Sequence, residues 1–393
     1  MAALSRIPAQ SPRQQKNHAI TGTSATNTST QKTQTKTVMK TYLPYSLILA
    51  AAASGMAFGA ETAYTTPVGY TTSTINSAFS PTSPKNNFLS VPLVNSAAWT
   101  GKITSKAGDV LTLTVGATPL VVAAYNNISS QYPGTTVYAY YLEGTDGYWA
   151  QIVSNDAGTV TVQTGAGANF TNGEVVTIRR HRTVSDIFGA TNQAGLQGDA
   201  GGDFNGGDNI SIIDETNGGN VTLMVAPGVI AGATYIDSSY NDADTYPVYP
   251  DQGLQVLRRA NSNISLVVSG EVHNRPTQNQ IDTGFQIRPV ILPITVALKD
   301  LGLYTGNVAT GLAGSSSGDL NEADKLSIVV NGVSTSYFYS TIDLGGGIGW
   351  YNDAYEYVNN TALPAGAAIN VTRNNPTNSA PFIWVSPAPI IGN

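Results

Sequence analysis

From Ile103 onward, the chain alternates apolar and polar positions with a period of two, broken by short turn signals, which is the pattern of half-buried strands. Val137 to Leu142, Tyr148 to Ser154 and Thr159 to Gln163 alternate in this way. Glu143–Gly147 and Asn155–Gly158 separate them, so an antiparallel meander is expected. Ile103 to Leu113 predicts a hairpin turning near Gly108. Leu326–Val330 and Val333–Ser340 predict another around Asn331-Gly332, because Asn-Gly readily takes the left-handed angles of a type I′ turn. No long amphipathic helix pattern occurs. The expected class is all-β, built of antiparallel hairpins and meanders with a few short helices.

A repeat organises the second half. Gly202-Asp203-Phe204-Asn205-Gly206-Gly207-Asp208-Asn209-Ile210-Ser211-Ile212 recurs 116 residues later as Gly318-Asp319-Leu320-Asn321-Glu322-Ala323-Asp324-Lys325-Leu326-Ser327-Ile328. Upstream of each copy lies a predicted short helix, Thr183 to Gly189 and Thr295 to Gly302, with Thr as N-cap and Gly past the end. Downstream, Gly253 to Arg259 and Gly366 to Arg373 each run from Gly into a strand ending in Arg. The expected organisation is an N-terminal β domain over 61–182, a first repeat unit over 183–273, a polar linker over 274–284 and a second unit over 285–393.

Thr65-Thr66-Pro67-Val68-Gly69-Tyr70, Arg179-Arg180-His181-Arg182-Thr183-Val184-Ser185-Asp186-Ile187-Phe188-Gly189 and Pro364-Ala365-Gly366-Ala367-Ala368-Ile369-Asn370-Val371-Thr372-Arg373 resemble an uncharacterised family of exported, β-rich proteins. That family is met mainly in verrucomicrobial bacteria. The resemblance spans most of residues 61–393 and implies export from a Gram-negative-type cell. It implies no activity and supplies no catalytic residues.

Export is also expected from the residues. Met39-Lys40-Thr41 leads into an apolar run from Leu43 to Phe58 and then small residues, the layout of a cleaved secretory leader. The run is too short to span a bilayer comfortably and no charged stop follows it. Residues 1–38 are basic, acid-free and rich in Ser, Thr, Gln and Asn, a composition expected to stay disordered. Met39 is the expected true start, since the upstream stretch departs from the usual start of the resembled family.

Composition then narrows the partners. All 25 Asp+Glu lie beyond residue 60 with only 13 of the 19 Lys+Arg, giving that part a formal charge of −12. Nucleic acid is not an expected partner, because phosphate binding needs a basic face. Self-association or a surface glycan is. The chain has no cysteine, hence no disulfide and no thiol nucleophile.

Three features are candidates for chemistry. Asp203, Asn205 and Asp208, with their copies Asp319, Asn321 and Asp324, bring together the oxygen ligands a Ca²⁺ ion prefers, although neither set matches an EF-hand loop. The competing expectation is that they hold turns, in which case Asp208→Asn should cost on the order of 1 kcal/mol. No other cofactor is expected. His181 and His273 each stand near Arg, without a nucleophile elbow or a metalloprotease helix, and are expected to be ordinary surface or satisfied histidines. Arg179, Arg180 and Arg182 either grip an acidic polymer or pair with nearby carboxylates. The aromatic stretches Tyr138, Tyr140, Tyr141, Tyr148, Trp149 and Tyr337, Phe338, Tyr339, Trp350, Tyr351, Tyr355, Tyr357 offer either stacking platforms for sugars or cross-strand core pairs. Two functions follow: a non-catalytic envelope or extracellular structural protein, or a carbohydrate-binding or adhesive surface module.

Overall fold

Alternation is carried straight into burial. In Ile264–Val272, Ile264, Leu266 and Val268 are buried while Ser265, Val267 and Ser269 face outward, and Phe382–Ser386 repeats the pattern. The computed structural model describes residues 67–80, 82–114, 119–132, 135–214, 219–330, 333–373 and 380–387, all within the unit Tyr64–Asn393. The leader, residues 1–38 and the turn residues Asn331 and Gly332 lie outside the described residues. The fold is all-β, with many antiparallel sheets and one short α-helix, Val184–Phe188, among the described residues.

Two five-stranded sheets share one strand order. From edge to edge, the first runs Tyr235–Asp237, Gly219–Val225, Asn209–Asp214, Leu254–Arg258 and Lys85–Leu89. The second runs Gly349–Asn352, Val333–Ser340, Lys325–Val330, Ala368–Arg373 and Gly284–Pro289. Every pairing in both is antiparallel.

Each sheet packs its apolar face against an antiparallel ribbon. Val68–Ile75 with Ile264–Val272 contributes Ile75, Ile264, Leu266 and Val268 to a core shared with Ile210, Ile212, Leu254 and Val256. Thr277–Ile281 with Phe382–Ser386 contributes Ile281, Phe382 and Trp384 to a core shared with Leu326, Ile328, Ile369 and Val371.

The short helices also match in position. Thr183 caps Val184–Phe188 by accepting from Asp186 N while the Asp186 carboxylate accepts from Thr183 N, and Gly189 ends the helix with φ 91°. The second helix is a 3-10 turn, Leu298–Leu301, entered from Ala297 and not from Thr295. Its start is delayed because Val296–Ala297 stays extended to pair with Ala362–Leu363.

The expected domain boundaries differ from the strand pairing. Val68–Ile75 and Lys85–Leu89 pair with Ile264–Val272 and Leu254–Arg258, so the stretch 67–94 builds the same sheets as 183–273. The stretch 274–284, expected as a linker, contains the strand Thr277–Ile281. Its inward residues Thr277 and Asn279 are buried but polar, which hides the strand from a hydrophobic pattern.

Between Val94 and Arg182 the chain closes a six-stranded barrel in the order Ala97–Ala107, Val110–Leu113, Thr159–Val162, Trp149–Asn155, Tyr140–Glu143 and Val175–Arg180. Closure removes the free edges a meander would leave. Trp99, Ile103, Leu111, Leu142, Ile152, Val160, Phe170 and Ile178 fill the core of this subdomain. The barrel turn at Gly147 docks on the second half. Its carbonyl accepts from Gln278 N at 3.0 Å, and a Cβ there would meet the Pro276 carbonyl oxygen at 2.1 Å, so this approach requires glycine.

Candidate functional site

The structure divides the expected cation ligands into two jobs. Asp203 Oδ1 accepts from Asn205 N at 2.9 Å and Asp319 Oδ1 accepts from Asn321 N at 2.9 Å, a matching Asx turn in each segment. Asp208 and Asp324 lie beyond these turns and are buried. Asp208 Oδ2 accepts from Gln197 N at 2.7 Å and from the Arg258 guanidinium, while Oδ1 accepts from Arg259 N at 2.6 Å. Asp324 Oδ2 accepts from Ala313 N at 2.9 Å and stands 3.7 Å from Arg373 Nε. The Asn205 main-chain carbonyl accepts from Arg259 Nε at 2.9 Å, while Asn321 Nδ2 donates to Asp319 Oδ1 at 3.1 Å and Asn321 Oδ1 accepts from Lys325 Nζ at 3.2 Å. Among the described residues, no three His, Cys, Asp or Glu side chains are grouped to hold a metal ion.

Asp208 is therefore more than a turn former. Substituting it would leave Arg258 buried beside an unbalanced site, a loss of about 3–5 kcal/mol in place of the single hydrogen bond expected from sequence.

Both histidines beyond residue 60 are buried, and both stand against the barrel's outer face. The two-residue period of the barrel strands sends Leu142, Ala150 and Ile178 inward, so Tyr141, Glu143, Gln151 and Arg179 point out. That face is covered by the rest of the fold. Glu143 binds His273 Nε2 through one oxygen and Arg179 Nε at 3.2 Å through the other. Arg179 Nη1 also donates to Glu271 at 2.6 Å and to the Asn95 carbonyl at 2.7 Å. Burial raises the Glu143 carboxyl, but the hydrogen bond and charge of His273 with the charges of Arg179 and Arg275 outweigh it and hold the group below its ordinary value.

His181 is held differently. Its ring stacks on Tyr141 with centroids 4.8 Å apart and leans on Tyr249 at 4.7 Å. Nε2–H donates to Gln151 Oε1 at 2.6 Å, and Nδ1 has no hydrogen-bond partner. Burial pushes its pKa down to about 3, so the ring is neutral. The arginines divide likewise: Arg180 forks onto Asp186 at 2.7 and 2.9 Å, and Arg182 donates to the carbonyls of Leu93, Val94 and Ser269.

His273 Nδ1 lies 3.3 Å from Thr277 Oγ1, which completes a carboxylate, imidazole and hydroxyl chain through Glu143. In an open site that order could move a proton onto or off a hydroxyl. Here the chain lines a cavity of about 40 Å³, and all three side chains are buried and already bonded to one another.

Beyond Trp149 and Tyr249 a second, larger hollow opens, of about 300 Å³. Tyr148 and Trp149 from the first aromatic stretch line it. Tyr138 and Tyr141 are buried, whereas Phe338 and Tyr351, and Tyr339 and Trp350, form cross-strand pairs in the second sheet. Sequence reasoning missed the Gln residues of this hollow, whose signal was the polar alternation of Gln278 and Gln280 in the presumed linker.

No protein-family profile, curated protein or solved structure matches the chain. Among the described residues no helix is long and apolar enough to cross a membrane.

Proposed function

We propose that this chain is an exported, non-catalytic structural protein of a bacterial envelope or cell surface. The observation that carries the reading is the burial of the acid, imidazole and hydroxyl chain among the described residues, whose members bond one another and Arg179. Glu143, His273 and Thr277 are buried, and Glu143 and Arg179 join the barrel to Glu271 and His273 of the surrounding strands. These groups serve as an internal staple. Buried pairs of this kind are costly to break, which suits a rigid scaffold.

In this reading 67–94 with 181–273, and 277–387, are two copies of one β unit, the barrel being inserted into the first. Support comes from the shared strand order and from hydrogen bonds that recur at the 116-residue offset: Gln197 N to Asp208 and Ala313 N to Asp324, Asn205 N to Asp203 and Asn321 N to Asp319. A duplicated unit offers like surfaces for self-association. Export is supported by the leader-like segment at Met39 and by the verrucomicrobial resemblance. The test is fractionation of a native cell: the reading expects the chain in the envelope or medium, and recovery in the cytoplasm would contradict it. Carbohydrate binding, the other function expected from the sequence, draws its support from the hollow beside Trp149.

A further inference from the structure

The 300 Å³ groove is assembled from three separate strands. Trp149–Asn155 presents Trp149 and Gln151 on the barrel's outer face, and Gln163 follows the neighbouring strand Thr159–Val162. Thr277–Ile281 buries Thr277, Asn279 and Ile281, so Gln278 and Gln280 point the other way, into the groove. Tyr148 and Tyr249 add two more rings.

The lining is aromatic and amide-rich with a single ionisable acid, Asp251, and no Lys or Arg. That chemistry disfavours phosphate, sulfate or uronate, which would require a cation. Primary amides supply a donor and an acceptor side by side, the match for neighbouring hydroxyls, and ring faces accept the C–H edges of a pyranose. One buried amide in the lining has an unpartnered nitrogen. Gln151 is 2% exposed, its oxygen is taken by His181, and its nitrogen has no hydrogen-bond partner among the described residues. The Gln163 side chain likewise has none, and Gln278 Nε2 makes only long contacts to Asp146, at 3.3 and 3.4 Å.

We propose that this groove binds a neutral glycan, about one or two pyranose rings at a time, a size set by a volume at the lower end of the roughly 300–1,000 Å³ of small-molecule sites. A ring lies on Trp149 beside the edge of Tyr148, and the hydroxyls bond the amides of Gln151, Gln163 and Gln278 and the oxygen of Gln280, whose nitrogen donates to Asp282 at 2.8 Å. This goes beyond the structural reading and does not depend on it.

The test titrates the full chain with neutral hexasaccharides of the cello, xylo, manno, malto and laminari series, followed by calorimetry and tryptophan emission. Saturable binding to at least one series with an emission change is expected. Tyr148→Ala and Gln163→Ala, both at half-exposed positions, should each weaken it about tenfold or more. Gln163→Ala and Gln278→Ala remove only groove amides and should leave the Tm unchanged, so they carry the test if Tyr148→Ala fails to fold. Absence of saturable binding to every neutral series, binding to alginate or heparin alone, or affinity unmoved by both amide variants would overturn the proposal.

Discussion

Asp208 and Arg258 form a fully buried ion pair one residue beyond the paired register of their strands, and Asp324 and Arg373 take the same places in the second sheet. In each case the carboxylate also accepts a main-chain N–H from eleven residues upstream, Gln197 for Asp208 and Ala313 for Asp324. The pair thus pins the loop that enters the sheet to the end of the neighbouring strand.

Asp208→Ala should lower stability by about 3–5 kcal/mol in denaturant unfolding, because a buried guanidinium loses its counter-charge. Replacing both partners, Asp208→Leu with Arg258→Met, should recover part of that loss. A cost near 1 kcal/mol for Asp208→Ala would mean that the pair does not contribute as its burial implies.

Calcium should not stabilise the chain through the two Asp-Asn-Asp loops. Asp203 and Asp319 accept from the backbone of their own turns, and Arg258 already balances Asp208. A ligand that bound only the folded state would raise the Tm with the logarithm of its concentration. Scanning calorimetry with millimolar calcium and with chelator should give one Tm. A calcium-dependent rise abolished by Asp203→Asn with Asp319→Asn would restore these loops as a cation site.

His181 should set an acid limit to stability. Its folded pKa, about 3, lies below its ordinary 6.5, so the unfolded chain binds the proton more readily between those values. The stabilisation is complete above pH 6.5 and is lost as pH falls toward 3. His181→Phe should flatten the decline between about pH 6.5 and 4.5, before carboxylates begin to titrate. A Tm profile unchanged by the substitution in that window would contradict the assignment.

Much of the fold was legible because its signals are local. Alternation located the barrel strands Trp149–Asn155 and Thr159–Val162, and Thr183 with Gly189 bounded the α-helix Val184–Phe188. The repeated Gly-Asp segments led into corresponding strands at Asn209 and Lys325. Long-range pairing was not legible: nothing local in Lys85–Leu89 marks Leu254–Arg258 as its neighbour, and barrel closure depends on Val175–Arg180 returning to Ala97–Ala107. The staple was hidden for the same reason. Glu143 and His273 are 130 residues apart, and Glu143 sits where the pattern suggested a turn.

Glu143→Gln should weaken the staple, since the substitution removes the charge facing Arg179 and His273. A loss of about 3–5 kcal/mol is expected in chemical unfolding. Stability within about 1 kcal/mol of the parent would show that the barrel is held by other contacts.

The central claim, an exported surface or envelope protein, is tested most directly by the intact mass of the chain recovered from fractionated native cells. The account predicts recovery from the envelope or medium of a chain beginning at Ala60 or Glu61. A cytoplasmic chain still carrying residues 39–58 would contradict it.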